Sequence, residues 1–185
     1  MRKYIVGAVL AIGILTGVVG LVTMAGCASS KAAAINSFTT GAVTLAASPS
    51  SELITLDSMA PGDRVTSPIT VGNNGSLSLR YAMSSTATNN DSKGVKDRLV
   101  LVVKSGVTTC TNSGFSDDGV LVYTGDMDST DGKIIGDETQ GQQTGDRTLA
   151  PGESETLCFQ AFLPMVAAGD YKTATTTATF TFNAE

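Results

Sequence analysis

Residues 56–85 read LDSMAPGDRVTSPITVGNNGSLSLRYAMSS, and this stretch decides the fold. Pro61-Gly62 marks a first reversal: proline presets φ at the second position of a turn, and glycine accepts the positive φ of the third. Asn73-Asn74-Gly75-Ser76 marks a second, and Asn-Gly is a strong hairpin signal. Between the reversals Val65, Ile69 and Val71 mix with Thr66, Ser67 and Thr70. Beyond them Leu77, Leu79 and Tyr81 alternate with Ser78, Arg80 and Ala82. A period of two sends alternate side chains to one face of a strand. The stretch therefore reads strand, tight turn, strand, tight turn, strand.

Upstream, Phe38 to Ala47 alternates Val43 and Leu45 with small residues and reads as one core strand, followed by a short strand at Leu53–Leu56. Downstream, the run RLVLVVK at 98–104 holds five consecutive apolar residues, which predicts a strand buried on both faces. VLVYT at 120–124 and TLCFQAFL at 156–163 are further strands. LAPGESET at 149–156 parallels MAPGDRVT at 59–66, so a second proline-glycine turn is expected there. The last segment places Thr173, Thr175, Thr177, Thr179 and Thr181 on one face, and Ala174, Thr176, Ala178, Phe180 and Phe182 on the other. Gly125–Asp146 is a long polar insertion, expected as an exposed loop with one helical turn. About eight or nine short strands with Gly, Pro and Asn turns specify an all-β fold. The expected class is an antiparallel, jelly-roll-like β-sandwich.

The N-terminus is different in kind. Arg2 and Lys3 precede an uncharged apolar run from Tyr4 to Met24, then Ala25 and Gly26. Residues 1–26 read as a cleaved hydrophobic signal helix; a run of that length also suits a permanent anchor. Residues 27–36, CASSKAAAIN, read as a flexible leader. Residues 37–185 then form a single sandwich domain. Losing Arg2 and Lys3 takes the net charge from −5 to −7. An acidic chain without a basic cluster is a poor nucleic-acid partner. The expected location is extracellular or at the cell surface. A signal peptidase is the partner during export, and membrane contact comes only through the signal or a lipid. Met24-Ala25-Gly26-Cys27 is close to a lipobox, so Cys27 is either a lipidation site or the mature N-terminus; Ala32 to Ala34 offers another cleavage point.

The chain contains no histidine. That removes Ser-His and Cys-His nucleophile pairs and the His-Glu-x-x-His zinc site, and no catalytic residue or cofactor is expected. Cys110 and Cys158 are free to pair after export, or to remain two buried thiols. A bridge would close a loop of about 48 residues, worth about 4 kcal/mol on a chain-entropy basis. Asp126, Asp128 and Asp131 have the flavour of a calcium loop. The third acid and the glycine come one residue late against the EF-hand pattern, so the alternative is a solvated acidic loop.

The run MAPGDRVTSPITVGNNGSLSLRY at 59–81 resembles the TasA/camelysin family of secreted fibre proteins. Thr23-Met24-Ala25 followed by Phe38-Thr39-Thr40-Gly41 is similar to that family's cleavage region and first strand. The resemblance implies a dedicated signal peptidase, a jelly-roll sandwich and self-association into a biofilm-matrix fibre. It implies that the mature N-terminus inserts as a donor strand into the next subunit, a mode in which backbone hydrogen bonds supply affinity. Residues 27–38 occupy the donor position, with Ile35 and Phe38 its large apolar residues. Some camelysin-type relatives carry a metalloprotease label, although this chain has no usual zinc ligand set. The alternative function is a monomeric surface domain, lipidated at Cys27, that binds an extracellular ligand.

Overall fold

The computed structural model describes residues 29–32, 38–40, 43–48, 55–57, 59–129, 131–166, 171 and 173–185. The signal segment, Cys27 and Ile35 lie outside them. In chain order the strands are β1 (Ser29–Ala32), β2 (Phe38–Thr40), β3 (Val43–Ser48), β4 (Thr55–Asp57), β5 (Arg64–Asn73) and β6 (Leu79–Ala87). They continue as β7 (Val100–Ser105), β8 (Val120–Asp126), β9 (Lys133–Ile135), β10 (Arg147–Leu149), β11 (Ser154–Phe162) and β12 (Thr175–Ala184). Every pairing is antiparallel. One sheet runs β2-β3-β5-β11-β7-β8. The other has β12 and β6 at its centre, with β1 and β4 on β12 and with β9 and β10 on β6. This is the all-β, jelly-roll-like sandwich that the sequence predicts.

The two inner faces follow the period of two. Leu79, Tyr81, Met83 and Ser85 are buried along β6, as are Thr176, Phe180, Phe182 and Ala184 along β12. Opposite them lie Ile69, Val71, Leu101, Val103, Leu157, Phe159 and Ala161. Phe159 meets Phe180 across the sandwich at a ring-centroid distance of 5.1 Å. The threonine face of β12 is solvated as expected, with Thr175, Thr177 and Thr179 exposed. β7 is buried less than its composition predicts: Leu101 and Val103 are enclosed, while Val100 and Val102 are only half-buried.

Both proline-glycine turns form, and by the same bonds. In each, the acid's backbone N–H donates to the alanine carbonyl, from Asp63 to Ala60 at 2.9 Å and from Glu153 to Ala150 at 3.0 Å. In each, the acid's carboxylate accepts the alanine N–H, at 2.8 and 2.9 Å. Gly62 and Gly152 take φ of 98° and 76°, which a Cβ would oppose. Gly62 donates to the Leu163 carbonyl at the end of β11, and Gly152 to the Asn73 carbonyl at the end of β5. With Pro68 opposite Cys158 at the centre of the β5–β11 ladder, the halves are related by a near two-fold axis. Each residue of the first turn lies 90 positions before its counterpart, Pro61 matching Pro151. The axis pairs β3 with β7, β2 with β8, β6 with β12, β4 with β10 and β1 with β9.

Four sequence expectations change. The Asn73–Ser76 reversal is a corner between sheets rather than a hairpin: β5 and β6 lie in different sheets. The fully buried Asn73 amide makes the corner, donating to the Leu77 and Leu149 carbonyls at 2.8 and 3.0 Å and accepting from the Gly75 N–H at 2.9 Å. The Pro61-Gly62 turn likewise passes from β4 in one sheet to β5 in the other. The single strand expected over 38–47 is a hairpin, with β2 paired back on β3. The acidic insertion holds no helical turn; Ile134 and Ile135 are buried, and β9 is sewn onto β6 at Met83 and Ser84. The one turn of helix, a 3-10 turn, lies instead at Val95–Asp97.

Candidate functional site

β12 is a centre strand with a divided outer margin. β4 pairs with Thr175–Thr177 and β1 with Thr181–Ala184. The register of β1 sets Ser29 opposite Ala184, Ser30 opposite Asn183, Lys31 opposite Phe182 and Ala32 opposite Thr181. This segment, from within the leader, is thus an added edge strand on its own chain. Main-chain hydrogen bonds of such a strand contribute roughly 0.5–1.5 kcal/mol each, so four residues make a weak attachment. Phe38, the other leader residue singled out by the sequence, opens β2 and pairs with Leu45. At the far margin of the second sheet, β8 pairs only with β7 and leaves Val120 and Leu121 exposed.

The acids of the insertion divide. Met127 is fully buried and its carbonyl accepts from Ser85 Oγ at 2.9 Å, which turns Asp126 and Asp128 outward on either side. They meet Asp97 of the 3-10 turn, with one oxygen of each within 4.8 Å of the others. Asp131 is elsewhere: its carboxylate accepts from Ser129 Oγ at 2.7 Å and from the Lys133 N–H at 3.2 Å. The trio that spacing suggests is therefore split, and Asp97 is added from a distant loop with no local sequence signal. Lys96 supplies the positive charge, its Nζ 2.8 Å from Asp97 and 2.9 Å from Asp128. Hydrogen bonds to Asp97 and then Asp128 push its pKa above the ordinary lysine value. Asp137 and Asp146 are also occupied within the chain. Asp137 binds Lys133 at 2.6 Å and is lowered to about 2 by that bond first; Asp146 accepts the N–H groups of Asp137 and Gln143.

Cys110 and Cys158 are bonded, with Cα atoms 5.6 Å apart. The bridge draws the loop after β7 over the outer face of β11, which explains why five successive residues, Leu157 to Ala161, are buried there. Lys104 fastens the loop by donating to the Phe115 and Asp118 carbonyls at 2.8 and 3.0 Å. A second polar clamp joins the sheets: Tyr81 of β6 and Arg147 of β10 both donate to Glu155 of β11, at 2.6 and 2.7 Å. Burial, then that bond, raises the Tyr81 pKa well above the ordinary tyrosine value.

The concavities are poor substrate pockets. One beside Arg80, Asp137, Asp146 and Glu185 holds about 20 Å³. Another beside Met83, Lys133 and Ile135 holds about 40 Å³. A trough of about 540 Å³ along Arg147–Leu149 and Glu153–Glu155 is wide open to solvent. Small-molecule sites are commonly enclosed clefts of about 300–1,000 Å³. No helix among the described residues is long and apolar enough to cross a membrane.

No curated protein matches the chain. A family model described as camelysin metallo-endopeptidase matches residues 6–164, most of the chain. The chain thus belongs to the camelysin family.

Proposed function

We propose that this protein is an exported, non-catalytic building block, which forms a cell-surface or matrix fibre by passing its N-terminal strand to a neighbouring copy. The observation that carries the reading is β1. A segment with little apolar content enters a sheet by backbone pairing alone, the chemistry of strand addition. Family membership and the signal-like N-terminus support export.

The residues present do not fit the metal that the family description implies. A catalytic zinc is held by His, Cys or carboxylate ligands with one position left open. The chain has no histidine, Cys110 and Cys158 are bonded to each other, and the Asp97, Asp126 and Asp128 group has Lys96 in its midst. Among the described residues no other group of three such ligands comes together.

The test is removal of residues 27–36 from the mature protein. The truncated protein is expected to fold, shown by an unchanged far-UV spectrum, and to remain monomeric where the intact protein forms filaments in negative stain. Filaments of unchanged number would refute the reading. A lipid-bearing Cys27 on a strictly monomeric protein would replace it with the tethered-domain alternative.

A further inference from the structure

We infer that the outer margin of β12 at Thr181–Ala184 is a strand-acceptor site, filled in the free subunit by the chain's own β1 and in the assembly by β1 of a second copy. This rests on the assembly reading above and adds the place of exchange and its control.

The near two-fold axis carries the argument. It gives each centre strand of one sheet an edge strand just before a proline-glycine turn, β4 on β12 and β10 on β6. It also gives each a second short strand further along, β1 on β12 and β9 on β6. β9 is a permanent occupant. It is rooted by the buried Ile134 and Ile135, and its flanks are tied by Asp131, Asp137 and Asp146 to backbone N–H groups. β1 fills the matching slot with SSKA, a sequence without one large apolar residue. The same slot thus has a fixed filling in one half and a light, backbone-held filling in the other.

A strand that pairs with its own β12 pairs equally well with the β12 of an identical copy. Exchange of an identical element between copies replaces each contact with the same contact. The self-docked β1 then competes with the incoming one, so assembly depends steeply on concentration and is held back while β1 stays home.

Ser30 and Asn183 face each other in register. Facing residues of an antiparallel pair have Cα atoms about 4.5–5.5 Å apart, inside the roughly 4.4–6.8 Å span of a disulfide. The experiment uses the mature chain with Cys27→Ser as parent. Mixed Ser30→Cys and Asn183→Cys proteins, assembled and then oxidised, are expected to give cross-linked dimers from filaments and none from dilute monomer. The double variant, oxidised while monomeric, is expected to stay monomeric and to assemble once reduced. Filaments without the cross-link, or a locked double variant that assembles like its parent, would overturn the acceptor assignment and leave the assembly reading standing. A parent that never forms filaments would bring down both.

Discussion

A single lysine decides what the acidic cluster is. Asp97, Asp126 and Asp128 would repel one another, and Lys96 Nζ within 3 Å of two of them replaces an external cation. Removing that charge exposes the difference. Lys96→Met is expected to bind calcium at millimolar concentration, detected as heat by calorimetry, where the parent gives none. Calcium heat from the parent would mean that the ion displaces the lysine, and no heat from the variant would mean that the trio is too open to hold one. Local spacing in the sequence picked Asp126 and Asp128 and missed Asp97, because a site closed by two distant loops leaves no short-range pattern. Asn73 shows the same limit: its turn chemistry was legible, but its buried carbonyl partners Leu77 and Leu149 were not.

At the scale of elements, the disulfide governs how the loop after β7 lies on β11. Cutting it should release that loop from the outer face while leaving the inner faces packed. Cys110→Ser with Cys158→Ser is expected to lower stability by about 4 kcal/mol on the chain-entropy estimate for a loop of this length. The check is the urea midpoint, with the reduced parent as a second route to the same state; an unchanged midpoint would contradict it. Strand positions were largely readable, since β5, β6, β7, β11 and β12 each sit where alternation or a valine-rich run put them. Strand partners were not. Proline-glycine and Asn-Gly announce a reversal but not whether the chain returns to the same sheet, and here both pass to the other one. β9 was hidden for another reason: three residues bounded by charge are too few to show a period.

For the whole molecule, the charge pattern predicts a broad plateau of stability. There is no histidine to titrate near neutrality. The carboxyls of Asp91, Asp118, Asp131 and Asp137 are all held below 3.8 by hydrogen bonds they accept. A group with a depressed folded pKa gives stability that is complete above its unfolded value and is lost as pH falls through the folded one. Tyr81 works the other way: its raised pKa favours the protonated form, so that contribution is lost as pH rises past the ordinary value of 10.0. The thermal midpoint is therefore expected to be flat between about pH 5 and 9 and to drop below about pH 4 and above about pH 10. A transition near pH 6.5 in a thermal-melt series would contradict this.

The register of β1 on β12 also sets how the subunit responds to tension. Ser29 lies beside Ala184, so a load pulling those two points apart opens the pair like a zip, one rung after another. A load drawn along the strands instead, as when a neighbour's strand is tugged lengthwise out of the slot, must shear all the rungs together. Four rungs that part easily when peeled can hold when dragged, and a thread built this way would be readily remodelled at its ends yet resist stretching along its axis.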